Sequence, residues 1–225
     1  MGDLLVHGSG LSRTFGSGSA PVSALREATF EVHPGDHIAV VGPSGSGKST
    51  LLHLIAALDR PTTGTIEWPA LGPASSLRPG LVSFSFQGPS LLPPLTVLEN
   101  VALPLLLAGV AEEDALGQAA AMIERLDLAA VASKLPEELS GGQAQRASVA
   151  RALVGRPRII LADEPTGQQD RGTGQRVVDE MLGRAGALGA ALLVATHDRT
   201  VAERLPLRWS LQDGQLDTGV VARSR

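Results

Sequence analysis

The chain has 225 residues, 43% hydrophobic and 19% charged, with a formal net charge of −4. That is the profile of one folded domain with a real core, and it argues against disorder. The absence of cysteine excludes a disulfide framework and thiolate-bound zinc, and the mild acidity leaves no footprint for nucleic acid.

The start, "MGDLLVHGSG", carries Asp3 where a signal peptide needs basic residues, so no export is expected and the chain reads as soluble and cytoplasmic. "GSGSAP" from Gly16 is a surface turn. "TFEV" from Thr29 and "HIAVVG" from His37 read as strands, and the second runs into "GPSGSGKST". That stretch, Gly42, Pro43, Ser44, Gly45, Ser46, Gly47, Lys48, Ser49 and Thr50, opens a helical pattern from Lys48 to Leu58. Strand, glycine-rich loop and helix in this order form the context of a phosphate loop. Its glycines let backbone N–H groups turn toward an anion, and the helix start adds partial positive charge. Lys48, one of only two lysines with Lys134, supplies a compact charge for the β- and γ-phosphates, and the Ser49 hydroxyl suits Mg²⁺.

"PALGPASSLRPG" from Pro69 reads as a surface turn, and "LVSFSF" from Leu81 as a strand ending just before Gln87. From Pro89 to Val154 the alternation stops. Three helical runs and no convincing strand indicate a helical subdomain, 89–154, inserted between the parts 1–88 and 155–225 of a single domain. Its most apolar run, "VALPLLLAGVA" from Val101, contains Pro104 and is too short to span a bilayer. A second helix runs from Ala111 to Leu128 and a third from Gly142 to Val154. Ser140 and Gln143 fit a capping box at the third helix start, which leaves Gly141 and Gly142 unexplained. Glycines beside a serine at a helix N-terminus also make an anion site with close backbone approach. One nucleotide's phosphates already occupy the first loop, so a second grip suggests contact from another subunit.

"RIILADEPT" from Arg158 is an apolar strand delivering Asp163 and Glu164 to its C-terminal end, where α/β sheets place ligands. Asp163 suits Mg²⁺, directly or through water, and Glu164 suits proton abstraction from a water attacking the γ-phosphorus. A helix from Arg171 to Gly186, the strand "AALLVAT" from Ala190 and a loose tail "VVARSR" complete the chain. Strands alternating with helices, several of them continuously apolar, indicate a mainly parallel α/β sheet covered on both faces.

"LSGGQ", followed by "AQRASVARAL" and then "ILADEPT", resembles the signature and Walker B motifs of ABC ATPases. With "GPSGSGKST" as the Walker A motif, the resemblance covers essentially the whole chain in family order. It implies a P-loop NTPase of the ABC fold, with a mainly parallel core sheet, an antiparallel β subdomain and an inserted helical subdomain. It also implies an ATPase that binds ATP and Mg²⁺ and dimerises head to tail on ATP. In such a dimer Ser140, Gly141, Gly142 and Gln143 grip the γ-phosphate of ATP held by the opposite protomer. Gln87 matches the Q-loop, which senses Mg²⁺ and the attacking water and contacts the transport partner. Asp170 in "TGQQD" matches the D-loop and His197 in "ATHD" the switch histidine. The resemblance thus makes Lys48, Glu164 and His197 the catalytic set and Ser49, Gln87 and Asp163 the metal set. Phe15 becomes the adenine platform in a chain without tyrosine.

"LLPPLTVLENVALPLLLAG" from Leu91 is similar to the lipoprotein-release, macrolide-export and cell-division ATPases. That group implies a separate integral membrane permease of the FtsX/MacB type, with this chain peripheral on the inner face of the cell membrane. A non-transport ATPase regulating a membrane complex, as in cell division, stays open. Two departures stand out: "GQQD" has Gln168 and Gln169 where this group usually has Asn and Leu, and 69–80 is short and proline-rich. Chromosome and repair ATPases would need a coiled-coil insertion, zinc cysteines or a basic face, and a phosphate-loop kinase would have no use for "LSGGQ".

Overall fold

The computed structural model describes residues 4–16, 21–88 and 90–219. The tail "VVARSR", most of the "GSGSAP" turn and the Pro89 boundary of the expected helical subdomain lie outside the described residues. Among the described residues nine strands form one sheet. They are β1 Val6–Phe15, β2 Val22–Val32, β3 His37–Val41, β4 Thr63–Glu67, β5 Val82–Ser85, β6 Ile159–Asp163, β7 Ala191–Thr196, β8 Leu207–Gln212 and β9 Gln215–Asp217. Their order across the sheet is β4-β1-β2-β9-β8-β3-β7-β6-β5. From β8 to β5 every neighbouring pair is parallel, whereas β4-β1-β2 and β8-β9 pair antiparallel. The α/β architecture expected from the alternating pattern is therefore present, as a mixed sheet with a parallel centre.

The continuous apolar runs have a direct packing reason. Ile38, Val40, Ile159, Leu161, Leu193 and Ala195 face one core, while Ala39, Ile160, Ala162, Leu192 and Val194 face another. With both faces covered, neither parity of a strand can be polar. Helix α1 (Lys48–Ile55) fills the first core together with Leu5, Leu11 and Leu25 from β1, its flank and β2. The second core is filled by α2 (Val97–Leu107), α3 (Glu112–Arg125), α4 (Gly141–Leu153), α5 (Arg171–Leu188) and the short α6 (Arg199–Ala202).

Helices α2, α3 and α4 all fall between β5 and β6 in the chain. Thr96 and Glu99 close a capping box at the start of α2. Asn100, fully buried, ties down the preceding turn: its Nδ2 donates to the Leu92, Leu95 and Thr96 carbonyls, and its Oδ1 accepts from Leu92 N at 2.7 Å.

Four strands had no counterpart in the sequence reading. β1 is irregular, with register shifts around Gly8, Leu11 and Arg13, and β4 is largely exposed, so neither gives a clean alternation. The stretch 69–80, read as a surface turn, is largely exposed as expected, but two leucines anchor it to the core. It holds a short 3₁₀ turn, Ala74–Ser76, buries Leu71 and Leu77, and follows Trp68, whose Nε1 donates to Ile55 O at 2.9 Å.

Candidate active site

Parallel strands present their C-terminal ends at one edge of the sheet, and four adjacent strands do so here. β3 leads into Gly42, β5 ends two residues before Gln87, β6 ends at Asp163 and β7 ends at Thr196, before His197. Ser44, Gly45, Gly47, Lys48, Ser49, Thr50, Gln87, Asp163, Glu164 and His197 consequently line one cavity of about 470 Å³.

The loop's shape depends on two glycines in particular. Gly47, at the N-cap of α1, has φ +106°, and a Cβ there would collide with the Ala24 carbonyl. A Cβ on Gly42 would collide with the Leu211 carbonyl. Ser46 N donates to Pro43 O at 3.2 Å, closing the turn. Lys48 is buried, and its Nζ donates to the Gly42 and Pro43 carbonyls at 2.8 and 3.0 Å, so the ammonium is held over its own loop.

The two acidic residues differ. Burial pushes the Asp163 carboxyl up, and Glu164 adds to this; the Ser49 hydroxyl, His53 and Lys48 oppose it. Glu164 sits at φ +46°, a left-handed conformation that non-glycine residues adopt at a cost. Its Oε2 accepts from Thr196 Oγ1 at 3.2 Å, and its Oε1 accepts from His197 N at 3.1 Å and lies 2.8 Å from His197 Nδ1. A carboxylate can only accept, so this last contact places a proton on Nδ1 and leaves Nε2 as the imidazole's outward nitrogen.

The donor set fits a small hard cation. Ser49, Gln87 and Asp163 offer oxygen alone, and Asp163 is a desolvated carboxyl that a cation would favour in its charged form. No group of three or more acidic, histidine or cysteine side chains gathers for a metal among the described residues.

The other expected residues lie apart from this cavity. Ser140 caps α4, its Oγ accepting from Gln143 N at 3.2 Å and its N donating to Gln143 Oε1 at 2.9 Å. Ser140 and Gly141 are exposed. Asp170 caps α5 by accepting from Thr173 N at 3.0 Å, and hydrogen bonds from Thr173 hold its carboxyl low. Phe15 is 41% exposed, with the Arg13 guanidinium 4.4 Å from its ring centre and Arg13 Nε donating to Asp59 Oδ2 at 2.8 Å.

Sequence reasoning missed Thr196 and Gln145. Gln145, 1% exposed, donates through Nε2 to Glu164 O at 2.7 Å and accepts at Oε1 from Gln168 N at 2.9 Å. A long amide among Ala144, Ala147 and Ser148 on the buried side of α4 was the signal available for it.

A family model described as "ABC transporter" matches residues 25–167. The chain belongs to the ABC transporter family. This cassette is 41% identical to the lipoprotein-releasing system ATP-binding protein LolD of Legionella pneumophila (strain Paris), over 96% of this chain and 98% of that protein. It is 42% identical to the protein of the same name from Gluconobacter oxydans (strain 621H), over 92% and 93%. Among solved structures it is similar to the dimeric, post-hydrolysis state of the ATP-binding cassette MJ0796 bound to ADP and Pi. The TM-score is 0.88 at 32% identity, over 95% of this chain and 98% of that one. CbiO1 from Clostridium perfringens shares the fold at 22% identity, TM-score 0.79, over 96% and 87%. The cassette is an ATP-binding, ATP-hydrolysing subunit of an ABC transporter system.

Proposed function

We propose that two copies of this cassette sandwich two Mg·ATP head to tail and drive a separate membrane permease of the lipoprotein-releasing kind. One observation carries the reading. The phosphate loop, Gln87, Asp163, Glu164 and His197 share one cavity, while the capped turn Ser140–Gln143, exposed at Ser140 and Gly141, stands outside it. A second anion grip placed where its own nucleotide cavity does not reach is suited to a nucleotide on another copy. The dimeric cassette MJ0796 supports the pairing of two copies, and the LolD names support a lipoprotein-releasing partner.

In this reading the N–H groups of the loop and Lys48 hold the β- and γ-phosphates, phosphate oxygens replacing the carbonyls that Lys48 now contacts. Phe15 stacks on adenine with its other face backed by Arg13. Ser49, Gln87 and Asp163 would hold Mg²⁺, which when bound neutralises charge on the phosphate oxygens. Glu164 takes the proton of the attacking water, and His197, donating from Nδ1 to Glu164, helps to organise that water. Asp170, at the start of α5, belongs to the face shared with the second copy.

The permease side has a physical candidate. A groove of about 920 Å³ between the sheet edge and the helices is lined by Leu58, Phe86, Leu103, Leu107, Arg151 and Arg156 among others. Leu58 and Leu107 are 42% and 66% exposed. An apolar groove adjoining Gln87 suits an amphipathic segment of a membrane protein, so that sandwich closure is felt by the partner. Among the described residues no helix is long and apolar enough to cross a membrane. The location proposed is peripheral, on the cytoplasmic face and through the permease.

The test is ATPase rate per protomer against protein concentration, for wild type and Ser140→Arg. The expected result is a rate that rises with concentration and collapses in Ser140→Arg while ATP still binds. A rate independent of concentration and indifferent to Ser140 refutes the two-chain site.

A further inference from the structure

The loop that follows Glu164 is wired into the first turns of α4 of the same chain. Gln169 donates through Nε2 to Gly142 O at 2.9 Å and accepts at Oε1 from Arg146 Nη1 at 3.1 Å. Deeper in, Gln145 uses both ends of its amide, on Glu164 O and on Gln168 N. The approach is close. A Cβ on Gly141 would collide with Gln168 Oε1, and one on Gly142 would lie 3.0 Å from the Gln168 carbonyl. Folding of α4 does not need these bonds, because its start is already capped by Ser140 and Gln143. An amide is the neutral side chain that donates and accepts in one rigid plane, and each of the two uses both functions across the gap.

We infer that Gln145 and Gln169 are positioning residues that latch the turn Ser140–Gln143 to the backbone of Glu164 within one chain. The inference rests on the two-chain reading above. Glu164 is held at a left-handed φ, so the orientation of its peptide depends on what grips its carbonyl, and Gln145 grips it. With the latch closed, a protomer's grip on its partner's nucleotide and the setting of its own hydrolytic carboxylate are one rigid piece. Engagement of one site is then felt at the other. Gly142 acquires a second reason: besides exposing its N–H group, it leaves room for the Gln168 carbonyl beside the helix.

The test uses the whole chain. Gln169→Ala removes donor and acceptor together from a half-buried position without supplying the leucine usual there, and Arg146→Met removes one of the two bonds from the other side. Three readouts are taken: ATP affinity of the protomer in a Ser140→Arg background, kcat, and the Hill coefficient and apparent affinity for ATP. Neither residue lines the nucleotide cavity, so protomer affinity is expected to stay at its parent value. In Gln169→Ala the Hill coefficient is expected to move toward one and the apparent ATP affinity of the assembled enzyme to weaken ~5-fold or more, coupling between sites typically being worth that much in binding, with kcat falling as well. Arg146→Met should do the same to a smaller degree, and it carries the test if Gln169→Ala fails to fold. A cooperative wild type with both variants equally cooperative and equally fast overturns the latch alone. A fall in protomer affinity matching the fall in kcat also overturns it, because the residues would then act on local structure. A wild type with no cooperativity and no concentration dependence takes down the two-chain reading, and the latch with it.

Discussion

Glu164→Gln isolates the carboxylate's chemistry from its structural duties. The side chain now receives His197 N and Nδ1 on Oε1 and Thr196 Oγ1 on Oε2. An amide oriented with its oxygen toward His197 keeps the first two contacts. Its nitrogen then faces Thr196 Oγ1, which can accept once its own hydroxyl proton rotates away. Oγ1 also accepts from Asp198 N at 3.0 Å and has a second lone pair for this. The fold should therefore lose about 1 kcal/mol or less, one rearranged hydrogen bond. Hydrolysis should lose far more. A positioned general base contributes about 10²–10⁴-fold, or roughly 3–5 kcal/mol of barrier, and an amide cannot take the proton. Binding of ATP is untouched by the change, so the ATP-bound sandwich should accumulate, visible as a dimer by size exclusion in Mg·ATP and as slow single-turnover phosphate release. Phosphate release within a few-fold of wild type, with the protein still folded, would mean that another group takes the proton and that Glu164 serves only to position His197.

Phe15→Ala should weaken ATP binding by about 5- to 150-fold, the worth of stacking one base at about 1–3 kcal/mol, with kcat at saturation preserved. An unchanged affinity by ATP titration removes Phe15 from the adenine site. Leu77→Ala tests how firmly the exposed stretch 69–80 is anchored: Leu77 is fully buried, so the loss should be about 2–5 kcal/mol and Tm should fall roughly 5–20 °C in calorimetry. A shift of less than about 2 °C would mark the segment as dispensable to the core.

How much of this was legible depends on whether a residue's task is local. The centre of the sheet was readable because burial on both faces forces unbroken apolar runs in β3, β6 and β7. β1 and β4 were not, because their pairing is with each other and with β2, at an irregular edge where little apolar pattern is required. The same division runs through the site. The phosphate loop is contiguous, so its spacing alone carries its chemistry. Gln145 and Gln169 act across 19 and 27 residues of sequence, on a carbonyl and a helix turn that only the fold brings near. "GQQD" was visible as a departure, yet the sequence could assign it no partner. In the structure its second glutamine is satisfied at both ends by α4, so the loop is bound to its own chain's helix rather than simply loosened. A departure that loses an apolar side chain and gains two hydrogen bonds changes the kind of attachment, and a coupling measurement is sensitive to that kind.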